Sequence, residues 1–185
     1  TFCDKYFANP SGLYAIGREV NGELNSARRS VAEILHAMAD NIIFTGGGTE
    51  SDNMAILGVA RKHEKKGKHI ITTKIEHHAV LHPCEYLEKH GFEVTYLDVD
   101  SQGFISPKKV KEAIRPDTIL ISIMYANNEI GTVEPIADIG REILKYRKEN
   151  KTEFPYFHTD ACQAAGVLDL DVEKLHVDLM TINGS

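Results

Sequence analysis

The stretch "TILISIMYA", residues 118–126, is a nearly unbroken apolar and β-branched run. A strand of that kind must be covered on both sides, which is the mark of a parallel sheet with helices on each face. Similar short runs recur at 41–45 ("NIIFT"), 69–73 ("HIITT"), 93–99 ("EVTYLDV"), 156–160 ("YFHTD") and 178–183 ("DLMTIN"). Between them the apolar period lengthens to that of a helix. Residues 17–37 show it with Val20, Leu24, Ala27, Val31 and Leu35, and further helices are expected over 49–66, 79–91, 106–114, 135–149 and 161–166. Local punctuation agrees. The helix from Thr49 has acidic and hydroxyl residues in its first turn and lysines in its last, as the helix dipole favours. Pro135 opens one helix and Gly91 closes another. Pro83 is expected near the first turn of its helix, where its missing N–H is harmless. Six strands alternating with helices predict an α/β fold, with a mostly parallel sheet and helices on both faces.

Composition narrows the function classes. The chain of 185 residues is long enough for one domain with its own core. A net charge of -6 gives no electrostatic reason to expect nucleic acid or acidic lipid as a partner. No window approaches the roughly 18 apolar residues of a membrane span, and no secretory leader is read before the first helix. Cys3, Cys84 and Cys162 are scattered and form no CxxC pair, so a reducing, cytoplasmic setting is expected. There is no initiator Met, and the chain stops at Gly184-Ser185 straight after an apolar strand. The expectation is an internal piece of a longer chain.

In open parallel sheets the ligand sits beyond the carboxyl ends of the strands, so the residues just after each strand carry the chemistry. After 41–45 come Gly46, Gly47, Gly48, Thr49, Glu50 and Ser51. This is either a plain Gly-rich turn or a phosphate cup, in which glycines let the backbone approach and the next helix offers its free N–H groups. It is neither GxGxxG nor a Walker sequence, which counts against dinucleotides and nucleoside triphosphates. After 69–73 come His77, His78 and His82. Two of them share a helix face, yet no third ligand is evident and no metal is expected. A solvated helix start suits His78 and His82, while His77 is placed to lay its ring on a ligand. Asn127, Asn128 and Glu129 close the 118–126 strand.

Asp160 ends the strand 156–160, with Gln163 one short turn onward. A carboxylate in a buried setting costs several kcal/mol, on the order of 3–5, unless a cation or hydrogen bonds satisfy it. One explanation is a helix cap. The other is a cationic ligand. A phosphate cup, an imidazole, carboxamides and a carboxylate together suit a flat, phosphorylated heteroaromatic with a basic ring nitrogen, a description that pyridoxal 5′-phosphate (PLP) meets.

Six segments go further: "FANPSGLYAIGREV", "TGGGTESDNMAI", "EHHAVLHPCEYLEKHGFEVTYLDVD", "TILISIMYANNEIGTVEPI", "HTDACQAAG" and "VDLMTINGS". In order and spacing they resemble the cysteine desulfurase family, class V aminotransferase-like enzymes of PLP fold type I, over nearly the whole chain. The resemblance implies the large cofactor-binding domain of that fold and an activity that turns L-cysteine into L-alanine and an enzyme persulfide. It implies that Gly48 and Thr49 bind the cofactor phosphate, that His77 stacks on the ring and shuttles protons, and that Asn128 lies near the ring and substrate carboxylate. Asp160 would pair with the ring nitrogen, Gln163 would donate to the phenolic oxygen, and Ser185 would contact the phosphate. Many members read Ser-Gly-His where this chain reads Asn183-Gly184-Ser185. The family's first strand, its cofactor-bearing lysine, its sulfur-accepting cysteine and an arginine for the substrate are not found in these residues, so the chain alone is expected to be inactive. Cys162 falls on the cofactor floor and is read as packing. The family is homodimeric and hands sulfur to an acceptor such as an iron–sulfur scaffold or a tRNA-thiolation partner. Selenocysteine lyase or another class V relative is a nearby alternative, and a Rossmann-like nucleotide-binding module a more distant one.

Overall fold

The computed structural model describes residues 2–184, with side chains from residue 4 onward. The chain divides into two compact units, Thr1–Phe44 and Thr45–Ser185. The first is helical. It holds α1 (Phe2–Lys5) and α2 (Ala15–Leu35), which is capped by His36 in the left-handed conformation, with the His36 and Ala37 amides returning to the Glu33 and Ala32 carbonyls. The expected strand over 41–45 does not form. Residues Ala39–Asn41 make a 3₁₀ turn, and Ile43 and Phe44 are exposed. A β-branched run becomes a strand only where a neighbouring ladder accepts it, and residues 42–45 pair with none among the described residues.

The second unit is the predicted α/β fold. In chain order it runs α3 (Gly48–His63), β1 (His69–Thr73), α4 (His78–Glu88), β2 (Glu93–Leu97), α5 (Pro107–Ala113), β3 (Thr118–Ser122), α6 (Ile136–Asn150), β4 (Tyr156–Asp160), α7 (Val172–Leu175) and β5 (Leu179–Thr181). The five strands pair in the order β2-β1-β3-β4-β5, all parallel. β1 and β3 lie inside the sheet and are buried along their whole length, which is why they read as continuous apolar runs.

Alternation along the strands builds two cores. Ile71, Ile121 and Phe157 face α5, α6 and α7 through Val110, Ile136, Ile139, Ile143 and Leu175. Ile70 and Leu120 face α3 and α4 through Ile56, Ala60, Val80, Cys84 and Leu87. Each such buried side chain contributes about 1.5–3 kcal/mol.

Two local expectations are corrected. Pro83 lies inside α4 rather than in its first turn. It takes away the N–H that would meet the Ala79 carbonyl, and the side-chain amide of Asn53 on α3 donates to that carbonyl instead, at 3.3 Å. The expected short helix over 161–166 is a string of turns. Asp160 takes the Cys162 N–H at 3.0 Å, and Gly166 turns the chain away at a φ of 80°. No helix among the described residues is long and apolar enough to cross a membrane.

Candidate functional site

The carboxyl ends of β1, β3 and β4 and the N-terminus of α3 surround one cavity of about 190 Å³. Gly48, Thr49, His77, Asn128, Asp160 and Gln163 all line it. Ser185 lies outside the described residues. The structure adds Asp52, Met124, Ala126, Cys162 and Asn183 to the lining.

The Gly-rich loop is held by its own polar groups. Glu50 Oε2 reaches back to accept the Gly46 N–H at 2.6 Å. Thr45 and Ser51 share a hydroxyl hydrogen bond at 2.7 Å, so Ser51 is occupied in bracing the loop. The helix that follows has no side-chain N-cap. First-turn amides have no intrahelical acceptor, so the α3 N-terminus presents donors and a positive dipole end to the cavity. A Cβ on Gly48 would meet Cys162 Sγ at 2.8 Å, so a side chain there would force the Cys162 thiol or the start of α3 to shift.

His77 is the N-cap of α4, its Nδ1 accepting the Ala79 N–H at 3.1 Å. That hydrogen bond leaves the proton of the neutral ring on Nε2. His78 and His82 stack on each other with ring centroids 4.9 Å apart. No cluster of three or more His, Cys, Asp or Glu side chains able to hold a metal occurs among the described residues.

Asp160 occupies the last position of β4, buried and on the cavity floor. One of its oxygens accepts the Cys162 N–H in a turn rather than at a helix start, and the carboxylate lines the cavity. Cys162 fits the packing role. Burial and the neighbouring Asp160 carboxylate push its thiol well above the usual range, so it is no ready thiolate.

Beneath Asp160 lies a polar layer that sequence reasoning missed. His158 is fully buried, held between Ser122 Oγ at 2.9 Å and Thr181 Oγ1 at 3.0 Å. Burial lowers its pKa to about 4, so it is neutral. Its Nε2 stands 3.6 Å from Asp52 Oδ1, and that oxygen has no hydrogen-bond partner. Burial first, and then the Asp160 charge, raise the Asp52 carboxyl to about 7. One signal was available in the sequence: Asp52 falls four residues after Gly48, on the same face of α3.

The donor set suits a phosphorylated cation. Helix amides and the Thr49 hydroxyl answer an anion, and the buried Asp160 carboxylate answers a ring cation.

The family model for class-V aminotransferases matches residues 1–185. The "Putative cysteine desulfurase IscS 1" of Bacillus subtilis (strain 168) is 54% identical over 178 residues, 96% of this chain and 45% of the relative. The "Cysteine desulfurase IscS" of Methanosarcina thermophila is 55% identical over 178 residues, 96% of this chain and 42% of the relative. This chain thus spans less than half the length of these relatives. Among solved structures, "SspA in complex with cysteine" superposes with a TM-score of 0.92 at 42% identity, covering 99% of this chain and 51% of the other. A "NIFS-like protein" gives 0.91 at 38% identity, covering 98% and 48%. The chain belongs to the class-V aminotransferase family.

Proposed function

We propose that this chain supplies the cofactor floor of a PLP-dependent cysteine desulfurase, which takes L-cysteine to L-alanine and passes the sulfur to an enzyme cysteine. The observation that carries the reading is convergence: an anion-binding helix end, an imidazole and a buried carboxylate, distant in sequence, line one cavity at the strand ends. The names of the relatives, and a structural neighbour named as a complex with cysteine, support the substrate class.

In this reading the 185 residues form part of the large, cofactor-binding domain. Gly48, Thr49 and the α3 amides bind the phosphate, with Ser185 as a further donor. Asp160 pairs with the ring nitrogen and keeps it protonated. When bound, PLP supplies an electron sink for the substrate's Cα. Gln163 orients the ring through its phenolic oxygen, and Asn128 lies beside the ring and the substrate carboxylate. His77, its Nδ1 engaged by Ala79, has Nε2 left to exchange a proton. The working enzyme is a cytoplasmic homodimer that hands sulfur to an acceptor protein such as an iron–sulfur scaffold.

The test is Asp160→Ala in the full-length protein. Removing one partner of a buried ion pair costs about 3–5 kcal/mol, so PLP affinity and sulfide release from cysteine should fall together. Normal turnover in that variant would leave Asp160 with its turn-capping role alone.

A further inference from the structure

Two walls of the cavity are the loops after β1 and β3, and reciprocal hydrogen bonds tie them together. From the β1 side, Glu76 Oε1 accepts the Met124 N–H at 3.0 Å. From the β3 side, Asn127 Nδ2 donates to the Ile75 carbonyl at 3.0 Å. Each side chain is braced on its own loop. The Thr73 hydroxyl donates to Glu76 Oε1 at 2.6 Å, and Asn127 Oδ1 accepts the N–H groups of Glu129 and Ile130 at 2.8 and 3.0 Å. Both clasp residues are buried, and each directly precedes an exposed, cavity-lining residue: Glu76 precedes His77, and Asn127 precedes Asn128.

The clasp is expensive. Glu76 Oε2 is buried without a partner, and burial raises the carboxyl to about 8, so the group sits there neutral. An apolar side chain would fill the same space without that cost, and strain of this kind gathers where geometry serves function.

We propose that Glu76 and Asn127 are positioning residues whose reciprocal clasp sets the spacing of the His77 and Asn128 walls and holds the His77 imidazole in a single Nε2–H tautomer. The Ala79 hydrogen bond sets the tautomer, and the clasp acts on it by fixing the loop that carries His77. The effect on turnover rests on the cysteine desulfurase reading.

The experiment labels the histidines of the full-length protein with ¹⁵N and assigns the His77 ring signals by their loss in His77→Gln. The native protein should show one protonated and one unprotonated His77 nitrogen. Glu76→Gln keeps the acceptor for Met124 and Thr73 and mimics the neutral carboxyl, so it should retain that signature. Glu76→Ala should replace it with an averaged tautomer mixture. Asn127→Asp, which keeps the turn-bracing oxygen and loses the Nδ2 donor to Ile75 and to Met124 Sδ, should do the same, and it decides the question should Glu76→Ala not fold. With PLP and cysteine, loss of the clasp should lower kcat about 10²-fold, as small misplacements of reacting groups do, while KM changes little. Native His77 signals in a folded Glu76→Ala or Asn127→Asp protein would overturn the proposal, as would their loss in Glu76→Gln. Absence of turnover in the native protein would instead count against the desulfurase reading, with the tautomer result intact.

Discussion

The two faces of the sheet differ in kind. The face under α5, α6 and α7 is mostly apolar, with Ile71, Leu97, Ile121, Ile123 and Phe157 in its core. The face under α3 and α4 begins the same way, with Ile70, Ile119 and Leu120, but turns polar toward the strand ends. There Thr72, Ser122, His158 and Thr181 follow Ile70, Leu120, Tyr156 and Leu179 two positions earlier on their strands, Asp160 follows His158, and Asp52 joins them from α3. Thr72 Oγ1 and Asp52 Oδ1 are buried there without partners. Each unsatisfied buried group costs about 1–3 kcal/mol. One face therefore holds the fold together, and the other gives up stability to carry a polar floor under the cavity.

The largest effect should come from the apolar face. Phe157 is fully buried, and Phe157→Ala should lose about 3–5 kcal/mol in urea unfolding. A loss below about 1 kcal/mol would mean that this core does not carry the stability assigned to it. Next is the cavity. Thr49→Val should weaken PLP binding by about 1.5–3 kcal/mol, the worth of a hydrogen bond to a charged group, while leaving the melting curve in place. An unchanged dissociation constant in fluorescence titration would remove Thr49 from the phosphate cup.

The polar face should respond with the opposite sign. The Asp52 carboxyl is raised from 3.8 to about 7, so the folded protein keeps a proton that the unfolded chain has released. Its contribution to stability is full below about pH 4, falls as pH rises toward 7, and is level above that. Asp52→Asn should therefore gain roughly 1–2 kcal/mol over the native protein at about pH 8 and little at about pH 4. A gain that does not change with pH would contradict a carboxyl raised by burial at this place. The smallest effect is expected on the surface. Lys108 and Glu112 of α5 form an exposed ion pair at 3.7 Å, and Lys108→Ala should shift stability by less than about 0.5 kcal/mol.

Much of this was legible in the sequence because the signals are local. The runs "HIITT" and "TILIS" announce strands buried on both sides, and the residues just after them were the right places to seek a site. Asp160 stood out because a charge ends an apolar strand. What failed depends on distant partners. "NIIFT" has strand chemistry but joins no ladder among the described residues, and the Pro83 helix is continued by Asn53 from another helix. Asp52 and Glu76 look like ordinary acids in a helix start and a loop. Their burial, and the clasp with Asn127, exist only once β1 and β3 lie side by side.

We propose that the polar face binds a phosphorylated ring cation. The direct measurement is a titration of the full-length protein with PLP and with pyridoxal, which lacks the phosphate, each repeated with Asp160→Ala. PLP should bind the native protein at least about tenfold tighter than pyridoxal, since charge-assisted phosphate contacts are worth more than 1.4 kcal/mol. Asp160→Ala should weaken both ligands by a common factor, because the ring nitrogen is present in each. Equal affinity for the two ligands, or binding that ignores Asp160, would contradict the account.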